Sequence, residues 1–246
     1  SGVSCCLVDG NRGMITADLV KNGINDPEFY HAPLTSLVSI ENTTNKGGGA
    51  FYDFEEFKRI KAVCNANNLK FHLDGARIWN ALVATNDNPE EYGQVFDTIS
   101  VCLSKGLGAP IGSLLVSDAK TIHRALRIRK ILGGGMRQVG YLAAAGIYAL
   151  DNNIIRLADD HRRAKELGDL LSRLPWIIRV EPVETNILIF SLKEGLDENL
   201  FIEKLKERNI HISSMGHGKL RMVTHLDYRE VMHSYVLETF ERIVVK

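Results

Sequence analysis

Asp74 and Lys105 are the two residues of this chain best placed to do chemistry together. The acid closes the apolar run LKFHLD and the lysine follows TISVCLS, so each sits where a strand should end. An aspartate beside a pyridine nitrogen keeps that nitrogen protonated by charge proximity. A lysine between an apolar strand and a glycine turn is a nucleophilic amine suited to forming a Schiff base. Pyridoxal phosphate asks a protein for these two groups. Gly106, Gly108 and Gly112 follow the lysine and let backbone crowd a cofactor. The competing readings are local: Asp74 as the N-cap of a helix over GARIWNAL, and Lys105 as an exposed loop lysine. Finding both at successive strand ends favours the chemical reading.

The elements that must position them alternate apolar runs with amphipathic stretches, the pattern of an α/β architecture with a mostly parallel sheet. Strands are expected at 36–40, 69–73, 98–103 and 113–116, and ligands gather at the carboxyl ends of such strands. ENTTNKGGG after the first is a long glycine-rich loop. Asp53 is expected to cap the next helix, with Glu56 three residues on and Phe57, Ile60 and Cys64 along one face. A basic helix over 123–130 and the turn GGGMRQ precede a long apolar helix, VGYLAAAGIYAL, that is expected to be buried. The texture changes after Asn153. A charged helix over 154–173, strands at 177–180, 187–190 and 220–223, a helix over 197–208 and a final amphipathic helix follow. The expected organisation is a large domain over 1–153 and a smaller α+β domain over 154–246.

Composition narrows the function classes. The chain has 246 residues, 45% of them hydrophobic, enough for a substantial core. Thirty basic residues balance thirty acidic ones, so no bulk field points to nucleic acid or a membrane surface. Cys5, Cys6, Cys64 and Cys102 lack CxxC or His-rich spacing, which argues against a metal and suits a reducing, cytoplasmic compartment. Neither a signal peptide nor an apolar run of spanning length is present in this sequence. GxGxxG after a first strand is absent, which disfavours a Rossmann dehydrogenase. The opening SGVSCC reads as a tag scar or as native sequence revealed by loss of an upstream segment.

HLDGARIWNA, SVCLSKGLGAPIGSLLV, RKILGGGMRQVGYLAAAGIYAL and LRMVTHLD occur in this order, and together they resemble the L-threonine aldolase family. The similarity runs nearly end to end and implies a pyridoxal-phosphate enzyme of fold type I. It implies that Asp74 meets the pyridine nitrogen and that Lys105 holds the cofactor. Arg77 and Arg221 match the arginines that hold the cofactor and the substrate α-carboxylate, a task that suits the planar guanidinium fork. Lys130 and Arg137 bracket the GGG turn, a segment that in the family lines the neighbouring subunit's site; this implies substrate contact for Lys130 and cofactor contact for Arg137. A homodimer or homotetramer with shared active sites follows. His31 falls near the histidine that lies by the substrate β-hydroxyl, although HAPLTS puts Leu34 where the family has arginine. Thr44 and Lys46 depart from the pattern ENTHNRAGG, so no role is carried to them. Family members carry on the order of a hundred residues before this start, supplying a Gly-Thr phosphate turn and a ring-stacking histidine.

The local alternatives are a surface helix arginine for Arg77, a strand-edge charge for Arg221, a solvated loop histidine for His31 and a basic helix face for Lys130. His72 reads as a packed core histidine, and His225 as a residue that orients the loop bearing Arg221. The implied reaction is cleavage of L-threonine or L-allo-threonine, a small β-hydroxy amino acid, to glycine and acetaldehyde, with His31 or a water it holds as base. β-Elimination, racemisation and a non-catalytic relative remain as alternatives, because the same lysine and acid serve several reactions.

Overall fold

Period-two alternation shapes the first sheet. The computed structural model describes residues 2–243. A short helix α1 (Ala17–Asn22) precedes β1 (Leu37–Glu41), α2 (Phe54–Ala66), β2 (Lys70–Gly75), α3 (Ile78–Thr85), α4 (Pro89–Val95) and β3 (Thr98–Cys102). Val38, Ile40, Phe71, Leu73, Ile99 and Val101 are buried, while Ser39, His72, Asp74 and Ser100 between them are less so. Successive side chains in a strand point to opposite faces, so the sheet has one apolar and one polar face. The apolar face packs with Val20, Phe57, Ile60, Cys64, Tyr92 and Val95 in one core. Phe57 is fully buried, and its truncation to alanine would cost about 3–5 kcal/mol.

Capping fixes where the helices begin. Asp53 accepts the Glu55 N–H at the start of α2, and Asn88 does the same for α4, which has proline in its first turn. The capping-box expectation for Glu56 does not hold. Its carboxylate instead accepts the Ala17 N–H at 2.7 Å, because the first turn of α1 lies within reach and its orphan donors need partners.

β1, β2 and β3 pair in parallel, and β4 (Ser113–Ser117) adds antiparallel to β3, giving the order β1-β2-β3-β4. Leu114, Leu115 and Val116 of β4 are exposed. α5 (Ala119–Ile131) starts at its Asp118 cap, earlier than expected. α6 (Gly140–Asn153) corrects a second expectation: it is not buried. Only Gly146 and Ala149 are covered, while Tyr141 is 93% exposed. Its sequence is apolar all round, but among the described residues only this one stripe meets another element. Near it, Leu103, Leu107, Ala109, Ala149 and Leu157 form a small separate core.

The remaining elements build a second, antiparallel sheet of order β5-β6-β8-β7. These are α7 (Leu157–Leu171), β5 (Ile177–Val180), β6 (Ile187–Leu192), α8 (Glu198–Lys206), β7 (Ser213–Gly216), β8 (Lys219–Val223) and α9 (Glu230–Arg242). Leu167, Leu171, Phe190, Phe201, Leu220 and Phe240 pack between this sheet and its helices. Among the described residues no helix is long and apolar enough to cross a membrane.

Candidate active site

The polar face of the first sheet ends in a row of functional groups. Glu41, Asp74 and Ser100 are register partners across β1, β2 and β3, so their side chains share that face at its carboxyl end. Asp74 Oδ1 accepts the Ala76 N–H at 3.0 Å and lies 3.4 Å from the Ser100 hydroxyl. It does not cap α3, whose N-cap is Arg77 with no side-chain hydrogen bond. Asp74 therefore braces its own turn and keeps acceptor capacity to spare.

Lys105 follows β3 and is exposed. Its Nζ donates to Cys102 Sγ at 3.0 Å, and that sulfur lies 3.3 Å from the Ser113 hydroxyl. A thiol is a weak acceptor, so the amine is held lightly and is free to leave. Gly108 adopts φ +73°, and a Cβ there would come within 2.7 Å of Leu226, so glycine is required where this loop passes the second sheet.

The two arginines converge from different sheets. The Arg77 side chain is 11% exposed, and its nearest acid is Glu41, at 4.0 Å. Burial lowers the Arg77 pKa against the opposing charges of Glu41, Cys102 and Asp74. Arg221, on β8, donates from Nη2 to Asn45 Oδ1 at 2.8 Å, and its buried Nε has no partner. Burial, and then the neighbouring Arg77, lower its pKa in turn. Glu41 links the pair by accepting the Asn45 N–H at 2.9 Å. The result is two neighbouring guanidinium groups that no acid pairs closely, Glu41 being 4.0 Å from Arg77, an anion site with unspent donors.

A cavity of about 470 Å³ opens beside these groups, lined among others by Arg77, Ser104, Lys105, Asn186, His225 and Asp227. Asn186 Oδ1 is buried without a partner. A primary amine, an acid with spare acceptor capacity and two under-compensated arginines fit pyridoxal phosphate and an amino-acid carboxylate in donor type and charge.

Of the residues singled out in the sequence, Lys105 and Arg77 line the cavity, and Asp74 and Arg221 adjoin it through Arg77. His31 does not. It lies in an exposed loop with its ring 4.0 Å from that of Tyr30. Lys130 lies in the last turn of α5 and Arg137 in the turn before α6; both are exposed and neither lines the cavity. His72 is half-buried, with Nδ1 2.7 Å from Thr98 Oγ1. Sequence reasoning gave no role to Glu41, Asn45 or Asn186. Glu41 carried the same signal as Asp74, an acid closing an apolar strand.

The sequence profile of the beta-eliminating lyase family matches residues 1–194. The probable low-specificity L-threonine aldolase 2 of Arabidopsis thaliana is 38% identical over 237 residues, covering 94% of this chain and 66% of the relative. The low specificity L-threonine aldolase of Escherichia coli (strain K12) is 43% identical over 201 residues, covering 82% and 58% respectively. Among solved structures, a Leishmania major threonine aldolase superposes with a TM-score of 0.79 at 22% identity, across 95% of this chain and 68% of that one. A putative L-allo-threonine aldolase from Listeria monocytogenes EGD-E does so with a TM-score of 0.78 at 21% identity, across 96% and 67%. These superpositions show the expected fold type I, with its mostly parallel sheet followed by an antiparallel one. The chain spans less than two thirds of the length of these curated relatives.

Proposed function

We propose that this chain, which belongs to the beta-eliminating lyase family, forms the lysine-bearing part of a pyridoxal-phosphate-dependent carbon–carbon lyase. Its substrates in this reading are L-threonine and L-allo-threonine, cleaved to glycine and acetaldehyde. The observation that carries the reading is the convergence of Lys105, Asp74 and Arg77 at the carboxyl end of the first sheet with Arg221 from the second, the arginines short of partners. The likeness to low-specificity L-threonine aldolases, at 38% and 43% identity, supports the choice of reaction.

When bound, the cofactor supplies an electron sink for the charge left at Cα as the Cα–Cβ bond breaks. Lys105 would hold it through the ε-amine, and Asp74 would keep its ring nitrogen protonated by charge proximity. Arg77 and Arg221 clamp the α-carboxylate and so fix the direction of the scissile bond, the main positional task. Two candidates exist for taking the β-hydroxyl proton. The resemblance points to His31, whereas His225 lines the cavity. The pH profiles of kcat for His31→Asn and His225→Asn separate them, since only loss of the base removes the limb it governs.

Arg137 for cofactor and Lys130 for substrate are proposed to act across a subunit interface, which requires at least a dimer. Four free cysteines support a cytoplasmic setting. The organisation proposed is a cofactor-binding portion over 1–153 and a smaller portion over 154–246.

Borohydride treatment of the intact protein with pyridoxal phosphate, followed by peptide mapping, is the first test. The expected result is a reduced adduct on Lys105; its absence overturns the proposal. The family's name keeps β-elimination as a second reading. Glycine with acetaldehyde supports aldol cleavage, whereas ammonia with a keto acid supports elimination.

A further inference from the structure

The loop that carries Lys105 is held by the elbow between α6 and α7. Asn153 Nδ2 donates to the Leu107 carbonyl at 2.7 Å, and Arg156 Nη1 donates to the Gly106 carbonyl at 3.1 Å. A Cβ on Gly106 would meet Leu157 at 2.9 Å, so the backbone beside the lysine lies directly against the first turn of α7. The other arm of Arg156 donates to Asp160 Oδ1 at 2.6 Å. Asp160 is fully buried, and its Oδ2 has no partner. Burial raises its pKa, and Arg156 chiefly opposes that.

The same residue ties the elbow to the second sheet. The Asp160 carbonyl accepts the Thr224 hydroxyl at 2.7 Å. Thr224 follows β8, and its backbone N–H donates to the carbonyl of Asn186 while Asn186 Nδ2 returns a bond to the Thr224 carbonyl. A continuous chain of bonds thus runs from the strand bearing Arg221, through Asp160 and Arg156, to the residue after Lys105.

An i,i+4 pair that only stabilised a helix would gain most by staying wet, since burying both charges forfeits their hydration. Here the carboxylate is buried, and the guanidinium's second arm is spent on the loop. The geometry points to Arg156, locked by Asp160, as a positioning residue that sets the backbone of the Lys105 loop and hence where the ε-amine arrives. Its reason is the loop itself: glycines at 106 and 108 bring no side chain of their own to fix the backbone, and misplacing a reacting group by about 1 Å costs on the order of 10²-fold in rate.

This inference rests on Lys105 being the cofactor lysine, and the experiment separates the two. The intact protein is compared with Arg156→Gln, Arg156→Lys and Asp160→Asn. Arg162→Gln, which removes the two exposed ion pairs that Arg162 of α7 makes with Glu166 and with Glu230 of α9, is the control. Thermal unfolding reports the fold, and the rate of borohydride trapping of pyridoxal phosphate on Lys105 reports the position of the amine. Expected are trapping and kcat slowed about 10- to 100-fold in the Arg156 variants, with KM for L-threonine changed far less. Asp160→Asn should move in the same direction, and combining it with Arg156→Gln should add little, because both act through one chain. The Arg162→Gln control should trap at the wild-type rate. If Arg156→Gln does not fold, Arg156→Lys, which keeps the charge but lacks the second arm, carries the test. Lowered thermal stability with wild-type trapping would make the pair purely structural and overturn the inference. An unlabelled Lys105 in the wild-type protein would overturn the cofactor reading beneath it.

Discussion

At the amino end of the first sheet, Asp97 accepts hydrogen bonds from Lys61 at 2.7 Å, Lys70 at 2.8 Å and the Phe71 N–H at 2.9 Å. At the carboxyl end of the same strands, Arg77 lies 4.0 Å from its nearest acid and Arg221 leaves a buried N–H unpaired. Both ends hold charges of both signs. At the first, an acid and two cations close on one another, and the cluster can do nothing but hold β2 to β3. At the second, the charges are spaced so that they do not neutralise each other and solvation is withheld, which leaves free energy available to a ligand. Saturation marks a structural charge cluster; frustration marks a candidate site.

The comparison predicts opposite consequences for mutation at the two ends. The largest effect belongs to Lys105→Ala. Loss of the amine should lower aldol cleavage by about 10³-fold or more, while the unfolding midpoint stays unchanged because, among the described residues, the amine's hydrogen-bond partner is a thiol and the backbone bond to the Lys105 carbonyl is kept. Steady-state rates and a thermal melt on one preparation check both halves. A destabilised Lys105→Ala protein would erase the distinction between the ends.

Arg221→Ala comes next. Hydrogen bonds to charged groups contribute about 1.5–3 kcal/mol each, so KM for threonine should rise about 10- to 100-fold, with kcat less affected. Stability should hold or improve, since the mutation removes a buried, partly unpaired cation that also opposes Arg77. A fall in kcat and KM together would instead mean that the arginine's main work is to strain bound substrate.

How much of this was legible in the sequence follows the range of the interactions. Strand alternation and the cap Asp53 are local, and the elements built from them lie close to where the pattern puts them, whereas the short helix α4 behind Asn88 was not expected and α5 starts earlier, at Asp118. Asp74 and Lys105 could be found because each closes an apolar run. Glu41 closes one as well, but its part in the site depends on register with Asp74 and on Asn45 reaching Arg221, contacts between segments distant in sequence. The bond from Arg156 to the Gly106 carbonyl is of the same kind. α6 was misread because an all-round apolar helix says that something will cover it, not what. β7 was missed because SSMG has no apolar alternation of its own and borrows its order from β8.

The smallest effect sits at the saturated end and tests it by pH. Burial pushes the Asp97 carboxyl up, but Lys61, Lys70 and the Phe71 N–H outweigh it and hold the group at about 2, below its ordinary 3.8. A carboxyl depressed in the folded state binds fewer protons there than in the unfolded chain, so its stabilisation is complete above about pH 4 and drains away as pH falls toward 2. With one pKa unit equal to about 1.4 kcal/mol, and allowing for solvent screening around the more exposed Lys70, the contribution is about 1–2 kcal/mol. Asp97→Asn should therefore lower unfolding free energy by that amount at neutral pH and flatten its slope between pH 4 and 2. Its kcat and KM should match the wild type, because the cluster lies at the opposite end of the strands from Lys105. Denaturant unfolding across that pH window measures the slope. A loss of activity without a loss of stability would show that the two ends of the sheet are coupled rather than divided in their tasks.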